Sequence, residues 1–110
     1  MEGKNVSNVT ELSESNFSST IEKGVTLVDF WAPWCGPCQI QGPIIDSVAA
    51  DAPEGVTVAK LNVDEVSSVA AKYGVMSIPT LIIFKDGEEA ERFVGVQQAP
   101  SLLEALKKTV

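Results

Sequence analysis

"VTLVDFWAPWCGPCQIQGPII" (residues 25–45) decides how the chain is read. Val25 to Trp31 form a continuous apolar, β-branched run, the pattern of a central strand buried on both faces. Beyond it, Ile40, Ile44, Ile45, Val48, Ala49 and Ala52 recur at helical spacing. Between strand and helix lie the chain's two cysteines, Cys35 and Cys38, separated by Gly36 and Pro37. A strand-to-helix junction is where α/β proteins commonly place function.

Working outward, "DAPEG" (51–55) breaks the helix and "VTVAKLNV" (56–63) reads as a second buried strand. "SSVAAKYG" (67–74) predicts a short helix closed by Gly74. "TLIIF" (80–84) and the segment after Glu88 flank Asp86-Gly87, a strong hairpin signal. "APSLLEALKKTV" (99–110) sets Leu102, Leu103 and Leu106 on one helical face, with Lys107 and Lys108 in the last turn, where the helix dipole favours cations. Upstream, "NVSNV" (5–9) suggests a short strand. Phe17 and Ile21, four apart, suggest a helix that Ser13 or Ser15 caps and Gly24 ends. Strands alternating with helices imply parallel crossovers and the hairpin adds an antiparallel part, so the fold class is α/β with a mixed sheet between helices.

The chain has 110 residues, 45% hydrophobic and 21% charged, enough for one domain over 1–110 with its own core. A net charge of −7 without a basic cluster argues against nucleic acid and anionic membranes as partners. "MEGKNVSNVT" (1–10) lacks the apolar stretch of a signal peptide, and no window approaches the roughly 20 apolar residues of a membrane span. These features point to the cytoplasm, where a close cysteine pair is catalytic or metal-binding more often than structural. There is no histidine, which removes Cys-His and Ser-His-Asp catalysis and any His-liganded metal.

With a helix starting near Cys35, residues three apart are surface neighbours with Cβ atoms roughly 5–6 Å apart. A disulfide needs about 3.5–4.5 Å, so a modest adjustment lets the pair toggle between dithiol and disulfide. Cys35 meets the unpaired N–H groups of the helix start, which favour a thiolate and a pKa below about 8.5. Cys38, one turn in, is more shielded. Pro37 suits the first turn, and Gly36 leaves room beside the attacking sulfur. Cys35 would then attack a partner's disulfide, and Cys38 would resolve the mixed disulfide. Two other readings stand beside this one. A zinc or iron–sulfur site needs four ligands, so only a dimer could complete it. A structural disulfide closing so short a loop would contribute little.

Asp29 interrupts the buried run. It is either a strand-end aspartate turned to solvent or a buried carboxyl with a raised pKa that takes the Cys38 proton. Lys60, inside the second buried strand, either pairs with Asp29 across neighbouring strands or snorkels to the surface; pairing is the favoured reading. Trp31 and Trp34 are core packing, or else Trp34 forms an exposed platform beside Cys35. Pro79, before "TLIIF", reads by residue type alone as a strand-entry proline.

"VDFWAPWCGPC", Pro43, "VAKLNVDE", "KYGVMSIPTLIIFKDGE" and "VG" (94–95) together resemble the thioredoxin family, in order over nearly the whole chain and most loosely in its first 20 residues. The resemblance implies a thioredoxin fold, a central mixed parallel and antiparallel sheet flanked by four helices, and a protein disulfide reductase. It makes Cys35 the nucleophile and Cys38 the resolving thiol, with Asp29 and Lys60 as the buried aspartate and its nearby lysine. It implies a cis Ile78–Pro79 bond, with the backbone around Ile78 pairing with an extended substrate segment. Gly95 and the Trp34 ring would complete the docking surface, and Pro43 would kink the long helix. No cofactor is implied: electrons would come from NADPH through thioredoxin reductase. Disulfide-bearing proteins such as ribonucleotide reductase, peroxidases and sulfoxide reductases would receive them from a monomer. Some positions depart from the family's common pattern. Gln39 replaces a frequent lysine or arginine. Gln41 and Gly42 replace an apolar residue and an alanine, which should loosen the helix before Pro43. Met76 and Ser77 change the docking rim. Competing functions are an oxidase or isomerase of the same fold, a non-enzymatic subunit using the docking surface, and the dimeric metal site.

Overall fold

A computed structural model describes residues 8–110. Five strands form one sheet: β1 (Thr10–Glu11), β2 (Val25–Trp31), β3 (Val56–Asn62), β4 (Thr80–Lys85) and β5 (Glu88–Val94), in the order β1-β3-β2-β4-β5. β1, β3 and β2 run parallel, whereas β4 is antiparallel to β2 and to β5. Four helices complete the fold: α1 (Phe17–Ile21), α2 (Gly36–Asp51), α3 (Ser67–Lys72) and α4 (Ala99–Thr109). This is the mixed sheet with four helices expected from the sequence. Of the strand proposed at 5–9, residues 5–7 lie outside the described residues, and the described strand begins at Thr10.

Period-two alternation along the central strands sorts side chains onto two cores. Val28 and Phe30 of β2 join Ala59, Leu61, Ile82 and Phe84 beneath Phe17 and Ile21 of α1 and Ala70 of α3. Phe17, Tyr73 and Phe84 stack there with ring centroids 5.2–5.9 Å apart. Leu27, Val58, Leu81 and Ile83 face the other way, against Ile45 and Val48 of α2 and Leu102 and Leu106 of α4. Asp29 and Lys60 share the parity of Leu27 and Val58, and pair directly across β2 and β3. Both therefore project toward α2, the helix that carries the cysteines.

The hairpin turn is as predicted. Asp86 and Gly87 both have positive φ, 51° and 89°, as a two-residue turn of the right twist demands. Asp86 also ties the turn to the start of β2: its Oδ1 accepts the Gly24 N–H at 2.9 Å, and its own N–H donates to the Gly24 carbonyl at 2.9 Å. At α1 the cap differs from expectation. Asn16 occupies the N-cap position without a side-chain cap bond, while Ser13 Oγ, three residues earlier, accepts the Asn16 N–H at 3.3 Å.

The buried stripe of α2 also departs from the periodic reading. Ile40 points outward, 60% exposed, and the residue buried one turn beyond Cys38 is Gln41. Next to it, Gly42 has open space where a Cβ would stand. Glycine within a helix costs about 0.5–1 kcal/mol relative to alanine. Gly42→Ala is therefore expected to stabilise the protein by about that amount, read from the urea midpoint at constant m-value. A lower midpoint would show that the added methyl meets an obstacle.

Candidate active site

β2 delivers the chain to the site and α2 leads it away. Cys35 is the N-cap of α2, with extended φ/ψ of −91° and 115°, and its Sγ accepts the Cys38 N–H at 3.2 Å. The sulfur thus occupies the place of a capping oxygen and satisfies one of the helix's orphan donors. Pro37 sits in the first turn, where a missing N–H has no consequence. Cys35 and Cys38 are joined as a disulfide, with Cα atoms 5.3 Å apart.

Residue burial does not separate the two cysteines, 5% and 4% exposed; their neighbours do. Cys35 Sγ lies 3.7 Å from the Ile78 carbonyl oxygen, and the Ile78–Pro79 bond is cis. Trp34, the residue before Cys35, is 70% exposed, and its indole N–H donates to Asp64 Oδ2 at 2.9 Å. Asp64 is held in turn, its N–H donating to Asn62 Oδ1 at 2.9 Å. The sequence reading missed Asp64, because a carboxylate in a loop after a strand carries no local sign of a distant indole. Gly95 closes the same edge, its N–H donating to the Pro79 carbonyl at 2.8 Å. Met76 stands on the rim, almost wholly exposed. The Ser77 carbonyl accepts the Thr80 hydroxyl at 2.5 Å.

Cys38 instead lines a cavity of about 280 Å³ together with Asp29, Trp31, Lys60, Gln39, Gly42 and Asp46. Asp29 is 3% exposed, and its Oδ1 has no hydrogen-bond partner. Burial pushes its carboxyl up from 3.8 to about 7, although the Lys60 charge pulls in the opposite direction. Of the two readings of Asp29, solvent-facing or buried, burial is the one observed. The pairing with Lys60 is through-space, not a contact ion pair: the ammonium sits 5.6 Å from the centroid of the Trp31 ring. The cavity carries polar groups among apolar walls and is roomy enough for water to link Asp29 to Cys38.

Two departures from the family's common pattern acquire definite roles. Gln39 donates its amide to the Pro33 carbonyl at 3.3 Å, bracing the segment before the cysteines. Gln41, expected to loosen α2, has both ends of its amide paired. Its Nε2 donates to the Gln97 carbonyl at 3.0 Å, and its Oε1 accepts the Gln97 N–H at 2.8 Å. The sequence showed a polar residue and no sign of its distant partner.

Residues 8–108 match the family model described as Thioredoxin. The chain belongs to the thioredoxin family. It is 51% identical over 100 residues to the thioredoxin of Staphylococcus epidermidis, covering 91% of this chain and 96% of that one. With the thioredoxin of Staphylococcus aureus (strain Mu50) the identity is 49% over the same coverage. A mutant thioredoxin from Halobacterium salinarum NRC-1 superposes with a TM-score of 0.84 at 34% identity, covering 97% and 96% of the two chains. The chain is thus a thiol–disulfide oxidoreductase whose redox element is the Cys35–Cys38 pair. Thioredoxins carry no prosthetic group; their family partners are disulfide substrates and thioredoxin reductase. Among the described residues, no group of three or more His, Cys, Asp or Glu is placed to hold a metal ion. No helix there is long and apolar enough to cross a membrane.

Proposed function

We propose that the protein works as a cytoplasmic, monomeric, single-domain disulfide reductase, with the two sulfurs dividing the labour. The observation that carries this reading is their asymmetry: Cys35 lies against the Ile78 carbonyl and directly follows the exposed Trp34, while Cys38 faces the Asp29 cavity. Trp34, Ile78 and Gly95 form the surface on which an extended substrate segment docks, with cis Pro79 shaping it and Gly36 and Pro37 leaving the approach to Cys35 open. The N-cap position stabilises a Cys35 thiolate. That thiolate attacks one sulfur of the substrate disulfide, forming a mixed disulfide and releasing the other sulfur as thiolate. Asp29, as carboxylate, takes the Cys38 proton directly or through water. The Cys38 thiolate then attacks Cys35 Sγ, closing the intramolecular disulfide and releasing the reduced substrate. Lys60 steadies the ionised form of Asp29. Electrons return from NADPH through thioredoxin reductase. Ribonucleotide reductase, peroxidases and sulfoxide reductases are the substrate classes this donor serves.

Direction is a matter of potential. Equilibrating the protein in dithiothreitol buffers, followed by the fluorescence of Trp34 and Trp31, should give a value below about −240 mV, within the cytosolic glutathione range. Only then does the dithiol pass electrons to most partner disulfides. A value near about −180 mV would replace the reductase reading with an isomerase one.

A further inference from the structure

Gln41 is a fully buried polar side chain on the helix that bears the cysteines, one turn beyond Cys38. Its amide satisfies both backbone groups of a single distant residue, Gln97. Gln97 lies in the connection between β5 and α4, two residues after Gly95. At its start this connection is fixed by the Gly95 N–H bond to Pro79. At its end the Gln98 carbonyl accepts the Leu102 N–H, the first turn of α4. Gln41 holds the middle, so the Gly95 edge of the docking surface is registered against the cysteine helix as well as against Pro79. An apolar side chain at position 41 could pack the same volume, but it could not hold both a donor and an acceptor.

We propose that Gln41 is a positioning residue for substrate docking: its two bonds to Gln97 fix the Gly95 edge relative to Cys35, so affinity for extended protein disulfides depends on residue 41. This rests on the docking reading given above. It places the contribution of Gln41 in substrate affinity and not in sulfur chemistry, because the amide touches neither cysteine.

The test is Gln41→Met, which conserves volume and removes both bonds. KM for insulin is expected to rise about 3- to 10-fold, the loss of one or two hydrogen bonds. kcat, the equilibrium with dithiothreitol and the reduction of a small aromatic disulfide, 5,5′-dithiobis(2-nitrobenzoic acid), should stay within about twofold. An unchanged KM, or a parallel fall in kcat and in reduction of the small disulfide, overturns the proposal. Pro79→Thr, measured alongside, separates the two readings. If it raises the insulin KM and Gln41→Met does not, the clamp alone fails. If neither raises it, the docking reading fails and the clamp proposal with it. Should Gln41→Met not fold, hydrogen exchange in the unaltered protein decides: the Gln97 amide is expected to be protected, and exchange at the rate of an open loop overturns the proposal.

Discussion

Cys38→Ser will stop the exchange at its first covalent step. Treated with a disulfide substrate, the variant should accumulate a stable adduct on Cys35, visible as a mass increase that dithiothreitol reverses. Well-oriented intramolecular attack corresponds to effective concentrations of roughly 10⁵ M or more. Release should therefore slow by at least about a thousandfold when external thiols replace Cys38. Cys35→Ser should form no adduct at all. The surroundings of the sulfurs set this order, since the two cysteines are buried alike as residues. Cys35 caps α2 beside the Ile78 carbonyl, whereas Cys38 opens onto the cavity beneath. An adduct on Cys38 in the Cys35→Ser variant would reverse the assignment.

The strands were legible because their signal is local. Val25 to Trp31 announces a two-sided burial that needs no knowledge of what covers it, and Asp86-Gly87 announces a turn by its own backbone preference. Asp29 was legible as an anomaly, since an ionisable group in such a run is costly unless it is paired or neutralised. The parts that escaped depend on a partner far away in sequence. Periodicity gave Ile40 to the buried stripe of α2, but the burial belongs to Gln41, because Gln97, 56 residues later, supplies the matching donor and acceptor. A glutamine is costly to bury only while its amide is unpaired. Lys60 shows the same limit from the other side. Register put it next to Asp29, but the Trp31 ring draws its ammonium away from a contact pair. Asp64 likewise matters only because Trp34 reaches it.

Asp29→Asn will trade turnover for stability, and pH separates the two effects. In the oxidised protein Asp29 titrates at about 7 instead of 3.8, because burial disfavours its charge more than Lys60 favours it. Between those two values the folded protein keeps a proton that the unfolded chain has released. Stability is therefore fully present below about pH 4, falls as pH rises through the window, and levels off above about pH 7. The ionised carboxylate then costs the fold about 4 kcal/mol. The asparagine variant carries no such charge, so its denaturation midpoint should be nearly level between pH 5 and pH 8 and exceed that of the unaltered protein at pH 8. In catalysis the sign reverses. The resolving step of the unaltered protein should accelerate through pH 7 as Asp29 ionises and becomes able to take the Cys38 proton. The variant should lose that inflection and prolong the mixed disulfide about 10- to 100-fold, at or below the low end of general-base contributions because cavity water can still accept the proton. Unchanged lifetime with a retained inflection would place the base elsewhere. A level stability profile in the unaltered protein would show that Asp29 is not held neutral by burial. The burial that destabilises the carboxylate is also what raises its affinity for a proton out of the ordinary carboxylate range, so removing one effect removes the other.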